Sequence, residues 1–523
     1  MSRADRLKPS EFDIGETSFN RGIERESLRV TSNGELALTP HPSALGAKLT
    51  HPKITTDFSE SQLELITPVF TSVDDVLAEL ARIHQYVHHS LDGELLWPAS
   101  MPCLLPSDSK IPLADYGNSN VALHKKTYRS GLGIRYGRSM QTISAVHYNF
   151  SPDDTIFTQL AAADKTPNTT PYRNERYYGL MRNFRDLSWL PVYLFGASPA
   201  ITSSFAKAAA HDLIQLDEGT LYSPHATSLR NGDLGYQSET QNGLMDVCYN
   251  GIESYIAAIA RGTTTPHEPY VHLNTDPSSI LQLNSNLLQS EAEFYTSIRA
   301  KCIPEANENF LNALARRGVE YVEVRLLDLN PFSTLGIDAD ALRFLDLLLT
   351  FCLFSDSRIH PPTRCLAVTE NLQRVVRQGR DSPDKLLLNA PSGARSLSAW
   401  GTKVMDALEP WAQQFGEHYV SSLKQQREKL REPARTPSAE MLTRMVDQRI
   451  GFVEFGTELA RQQHDSIRSP DPDTLSEFKA DAEYSLTQLV DREALEEAPF
   501  ATFLANLNAE YEDIRTSLAD TTS

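Results

Sequence analysis

Apolar and polar positions alternate with a period of two in several short stretches of this chain, and with the helical period in many longer ones. The alternation is clearest at residues 318–331, GVEYVEVRLLDLNP, where Val319, Tyr321, Glu323, Arg325 and Leu327 interleave with Glu320, Val322, Val324 and Leu326. That spacing predicts a strand. Glu323 and Arg325 then share one face with Tyr321, opposite an apolar face of Val322, Val324 and Leu326. A carboxylate and a guanidinium on an otherwise apolar strand are costly to bury unless paired. Taken alone, the stretch suits an internal ion pair as well as a working site.

The pattern recurs three times upstream. RGIERESLRV (21–30) puts Glu24, Glu26 and Leu28 opposite Ile23, Arg25 and Ser27. ITTDFSESQLELITP (54–68) places Asp57 after a Thr-rich strand start and Glu64 between Leu63 and Leu65. TISAVHYNF (142–150) sets Ile143, Ala145, His147 and Asn149 against Val146, Tyr148 and Phe150. LQLNSNLLQ (281–289) alternates too, with Asn284 and Asn286 on one face. Strands with one polar and one apolar face predict a mainly antiparallel sheet with one working side.

Helical periodicity separates these runs. Ser72 and Asp75 form a capping box ahead of the stripe Val73, Val76, Leu77, Leu80, Ile83 and Val87. Residues 172–195 read as aromatic-rich helix, 226–236 as a loop with a turn at Asn231-Gly232, and 340–354 as a fully buried helix. After Ser355, stretches such as HPPTR, DSPDKLLLNAPSGARS, REPARTPS and SPDPD punctuate long charged helices. Two regions are therefore expected: a β-rich catalytic body over 1–355 and a helical region over 356–523 packed on it.

Composition narrows the class. The 523 residues carry a formal charge of −19, which argues against nucleic acid or an anionic membrane as partner. Much of the excess is local: from Asp471 onward there are thirteen Asp and Glu against three Lys and Arg. Five dispersed cysteines without CxxC spacing fit a reducing compartment. No apolar run reaches membrane-spanning length and the first residues lack a signal-peptide core, so the cytoplasm is expected.

The polar strand faces together supply Glu24, Glu26, Asp57, Glu64, His147 and Glu323. If they converge, each carboxylate pair at about 4 Å repels by roughly 4 kcal/mol at an effective dielectric near 20. Five carboxylates in one cleft then call for hard divalent cations, with Mg²⁺ or Mn²⁺ the best match and His147 the single nitrogen ligand. Cations beside an arginine are common equipment for splitting ATP phosphates. Taken one at a time, each acid is more often a solvated strand residue than a ligand, and only the joint pattern favours a site.

Other features carry less. His84, His88 and His89 include a zinc-like i, i+4 pair, without an HExxH motif or a third ligand, and suit an exposed helical face. SGLGIRYG (130–137) matches neither a dinucleotide loop nor a Walker A loop, and no GxxxxGK[ST] occurs. Cys103 reads as structural. A metal-dependent phosphohydrolase and a non-catalytic metal scaffold remain open on these residues.

RGIERESLRV, ITTDFSESQLELITP, WPASMPC, QTISAVHYNFS, LFGASPA, ATSLR…DLGY, LNSNLLQ and EYVEVRLLDLNPF, collinear over about residues 20–355, resemble the proteobacterial-type glutamate–cysteine ligases. The resemblance implies an α+β, glutamine-synthetase-like fold: a curved, mainly antiparallel sheet with helices on its outer face and a helical C-terminal part. It implies ATP-dependent joining of the γ-carboxylate of glutamate to the amino group of cysteine through γ-glutamyl phosphate, the first step of glutathione biosynthesis, by a monomer acting on small molecules. A related ligase with a different amine acceptor is the nearest alternative. By the same resemblance Glu24, Glu26, Asp57, Glu64, His147 and Glu323 are metal ligands, and Arg325, with Glu323, is catalytic. Tyr128, Arg230, Tyr236 and Tyr295 form a cysteine pocket, and Arg129, Gln141 and Asn149 contact glutamate.

Overall fold

The longest alternating run upstream, FNRGIERESLRV, forms the 12-residue strand β1 (Phe19–Val30). The computed structural model describes residues 9–206, 211–235, 239–245, 247–274, 280–305, 308–467 and 469–521. Around β1 assemble β2 (Ile54–Thr56), β3 (Gln62–Ile66), β4 (Leu95–Leu96), β5 (Val146–Pro152), β6 (Ile298–Lys301) and β7 (Tyr321–Leu327). Their order is β2-β3-β1-β5-β7-β6, with β4 paired to β1, and every pairing is antiparallel.

One face of this sheet is apolar, as the alternation requires. Ile23, Leu65, Tyr148, Phe150, Val322 and Val324 belong to a single buried cluster. Helices α1 (Val73–Ser90), α2 (Thr170–Leu187) and α3 (Ala339–Phe354) supply its other wall. Each is started by a side chain that accepts a backbone N–H: Ser72, Thr169 and Asp338 respectively. The cluster continues into the C-terminal helices as far as Ile514.

One polar feature crosses this apolar layer. Arg21 of β1 donates through Nε to Asp346 of α3 at 2.9 and 3.1 Å, and both side chains are fully buried. Tyr419, on a helix spanning Glu417–Arg431, donates to the same carboxylate at 2.8 Å. Two charges in the core are tolerable because they are paired and their remaining valences are filled.

Three stretches depart from the alternation. β5 begins only at Val146, because Thr142 turns back to the Ser139 carbonyl (2.7 Å) at the end of a short helix. Residues 281–289 form no strand: Asn284 accepts the N–H of Asn286 (3.0 Å) and donates to the Gln289 carbonyl (3.0 Å), local bonds that compete with a ladder. The Pro-punctuated stretch after residue 381 contains a hairpin, Leu387–Ala390 with Gly393–Ser396. Among the described residues, no helix is long and apolar enough to cross a membrane.

Candidate active site

Register brings the acids together. Across β1 and β3, Glu26 lies opposite Glu64; across β1 and β5, Glu24 lies opposite His147; across β5 and β7, Asn149 lies opposite Glu323. Directly opposed residues of antiparallel strands present side chains on the same face. Four neighbouring strands therefore carry one polar row, laid out by the sequence period alone.

His147 is the hub of that row. Its Nδ1 is 3.3 Å from Glu24 Oε2 and 3.7 Å from Glu323 Oε1, and its Nε2 is 3.5 Å from Glu26 Oε1. Glu24, His147 and Glu323 each offer a donor atom within 4.8 Å of the others, the one such group of three among the described residues. Asn149 donates to Glu24 (2.8 Å), and the Ala145 N–H donates to Glu26 (2.8 Å). Asp57 and Glu64 line the same cleft a little further along, and Arg129 donates to the Asp57 backbone carbonyl.

Arg325 donates to Glu323 at 2.8 Å. It sits where β7 slips against β5: Val324 faces Tyr148 and Leu327 faces Val146, so β7 holds one extra residue there. Such bulges re-aim side chains at the edge of a site. Arg230, on the turn Leu229–Asn231, donates to the Arg325 carbonyl (2.7 Å) and lies 3.9 Å from Asp328. Lys301 Nζ is 3.8 Å from Glu323 Oε2.

The electrostatics are those of a crowded anionic site. Burial, then Asp57 and Glu64, push the Glu26 carboxyl well above its ordinary range. Burial, with Glu24 and Asp57, pushes Glu64 up to about 8. Burial also acts to raise Glu24 and Glu323, but His147 and Arg325 respectively hold their carboxyls below the usual range. The His147 imidazole is held low by burial and by Arg325. Some carboxyls thus hold protons that divalent cations would displace. Oxygen donors with one imidazole fit Mg²⁺ or Mn²⁺.

Two cavities meet at Arg325. The larger, about 520 Å³, is lined by Glu24, Asp57, Glu64, Tyr128, Arg129, Gln141, His147 and Glu323. The adjoining one, about 400 Å³, is lined by Arg230, Tyr295 and Arg325. Gln141 donates to the Tyr295 hydroxyl (3.0 Å) and so bridges the two. Tyr128 therefore faces the larger cavity, while Arg230 and Tyr295 face the smaller. Tyr236 lies outside the described residues.

Several lining groups escaped the reading of the sequence. Lys125 precedes Arg129 by four residues on helix Asn120–Tyr136, a spacing that puts both on one face and could have been noticed. Arg299 and Lys301 alternate on β6 in the same way. Leu504, Leu507, Asn508 and Tyr511 of the last helix, Phe500–Thr521, also line the larger cavity. Nothing local to that acidic tail signals this position.

Comparison with known proteins gives the family and the fold. A family model described as glutamate–cysteine ligase matches residues 10–375. The glutamate–cysteine ligase of Pseudomonas paraeruginosa (strain DSM 24068 / PA7) is 43% identical over 502 residues, 94% of each chain. That of Saccharophagus degradans is 41% identical over 507 residues, 95% of each. Among solved structures, a glutamate–cysteine ligase from Francisella tularensis in complex with AMP superposes with a TM-score of 0.90 at 32% identity, covering 96% of this chain and all of that one. A bifunctional glutathione synthetase from Pasteurella multocida gives a TM-score of 0.70 at 25% identity, covering 89% of this chain and 55% of its own.

Proposed function

The chain belongs to the glutamate–cysteine ligase family, and on that premise we propose how its residues carry the reaction. The enzyme joins the γ-carboxylate of L-glutamate to the amino group of L-cysteine at the expense of ATP, giving γ-glutamylcysteine, ADP and phosphate, the first step of glutathione synthesis. The observation that carries the residue-level reading is the meeting of Glu24, His147 and Glu323 within 4.8 Å, with Arg325 bonded to Glu323 in the same cleft.

Glu24, His147 and Glu323, with Glu26, Asp57 and Glu64 beside them, hold Mg²⁺ or Mn²⁺. When bound, the ions supply positive charge against the ATP phosphates and the glutamate γ-carboxylate. Arg325 meets the transferring γ-phosphoryl group, where a fixed cation stabilises charge spread over equatorial oxygens. A carboxylate is a poor electrophile, and the resulting γ-glutamyl phosphate gives it a leaving group. Arg129, Gln141 and Asn149 orient glutamate. Arg230 pairs with the cysteine carboxylate, and Tyr128, Tyr236 and Tyr295 surround its side chain, sulfur packing well against ring edges.

Besides Phe58 and Leu132, the apolar lining of the cleft includes Leu283, Phe310, Leu504, Leu507 and the Tyr511 ring, on and around the last helix. The base is the apolar part of ATP, and we assign it there. In this scheme residues 1–355 supply every ligand and charged contact, and residues 356–523 buttress them and close the cleft. The enzyme works as a cytoplasmic monomer, which light scattering on purified protein would check.

The direct test gives purified protein ATP, Mg²⁺ and glutamate, varies the amine, and identifies the product by mass. Phosphate release that is equal with unrelated amines, or that needs no amine, would reject the cysteine pocket.

A further inference from the structure

Two cysteines that the ligase chemistry does not use face the smaller cavity together. Cys248 lies in the coil before helix Ile252–Thr264, and Cys365 lies in the first turn of helix Pro362–Gln378. Their Sγ atoms are 3.4 Å apart, both are partly exposed, and both line the cavity that holds Arg230, Tyr295 and Arg325.

The chain holds this pair deliberately close. Asn250 donates to the His360 carbonyl (2.9 Å) and accepts the His360 N–H (2.9 Å), clamping the two segments two residues beyond Cys248 and five before Cys365. Arg182 donates to the Tyr249 carbonyl (2.9 Å), fixing the intervening residue. His360 stands 3.4 Å from Asp186, which also accepts from Arg364 (2.7 Å). A sulfur pair at this separation needs a shift of only about 1.4 Å to reach the disulfide bond length of about 2.0 Å.

We propose that Cys248 and Cys365 form a dithiol–disulfide couple in the wall of the substrate cavity, oxidised by low-molecular-weight disulfides. Cys365 attacks one sulfur of R–S–S–R; that bond breaks, and one RS⁻ leaves with the electron pair. Cys248 then attacks the Cys365 sulfur and displaces the second RS⁻. The protein loses two electrons and two protons, and the reagent gains them as two RSH.

The setting favours Cys365 as the attacking thiol. Burial acts to raise it, but His360, Arg185 and the neighbouring thiol bring it below the ordinary cysteine value. Cys103, Cys302 and Cys352 are buried, and burial raises all three thiols. The couple can be felt at the site, because Gln373 of the Cys365 helix donates to the Asn231 carbonyl (3.2 Å) beside Arg230, and Thr227 donates to Val376 of that helix (2.9 Å).

The test exposes the full-length protein to 2-hydroxyethyl disulfide, traps residual thiols and maps the peptides by mass. The expected result is a Cys248–Cys365 cross-link that dithiothreitol reverses, with Cys103, Cys302 and Cys352 reduced throughout. Cys248→Ser should stop at a mixed disulfide on Cys365, and Cys365→Ser should leave Cys248 unmodified. The apparent KM for cysteine should rise about threefold or more in the oxidised protein and revert on reduction, an effect absent from Cys365→Ser. Wild-type protein that keeps both thiols free, or Cys365→Ser protein modified as fast as wild type, would overturn the proposal. The wild-type peptide map decides this whether or not the cavity binds cysteine, and the Cys365→Ser rate is read only where Cys103, Cys302 and Cys352 stay unreactive, which marks a folded variant.

Discussion

Arg325 and Glu323 show how much a single strand can announce. Their shared face follows from two-residue periodicity, and the 2.8 Å bond between them was implicit in it. Arg325→Ala should lower turnover at least about 10²-fold, the scale of one charge partner of a transition state, in protein that circular dichroism shows to be folded. Near-normal turnover in that variant would remove Arg325 from phosphoryl transfer. Glu24→Gln keeps the hydrogen-bond shape but removes charge from the hub around His147. Its Mg²⁺ requirement, read by titrating the metal against initial rate, should rise about tenfold or more. The bulge that aims Arg325 was not legible, because a slip between β5 and β7 depends on both partners at once. Lys125 and Lys301 were written in helical and strand spacing, yet a lone lysine carries no sign of what it will face.

The strand segments with acidic faces were readable because burial of one side forces strict alternation, and β1, β3, β5 and β7 all formed close to where the pattern puts them. Residues 281–289 misled because Asn284 satisfies its neighbours' backbone locally. The role of the last helix could not be read at all, since its lining residues meet the cleft only through tertiary packing. That placement makes a prediction: Tyr511→Ala should raise the ATP concentration needed for half-maximal rate more than it raises the cysteine concentration. Equal shifts in both would move the base of ATP elsewhere. The joint between β1 and α3 is equally testable. Asp346→Ala strands Arg21 in the core and should cost about 3–5 kcal/mol of stability by denaturant unfolding. A loss below about 1 kcal/mol would mean that the pair adds little beyond what water could supply.

Three histidines contribute to the acid behaviour of the chain. Burial, the first cause in each case, lowers His41 and His88 to about 3 and His51 to about 4, against an ordinary value of 6.5. Between those limits the unfolded chain binds protons that these folded rings refuse, so they withdraw stability as pH drops from about 6.5 toward about 4. Glu26 and Glu64, which the fold protonates early, contribute in the opposite sense. Across that range the melting temperature of His88→Gln should fall less steeply than that of the wild type. Equal slopes would show that this ring takes up its proton without unfolding. The polar row has a last consequence, for the quality of folding itself. Glu24 and Glu26 reach His147 only if β1 pairs with β3 and β5 in one alignment. A slip by a single residue would turn both carboxylates into the hydrocarbon layer and Ile23 toward solvent. Misassembled chains would then be both unstable and without the Glu24–His147–Glu323 cluster, so any cation that this cluster takes up would select for correctly built molecules.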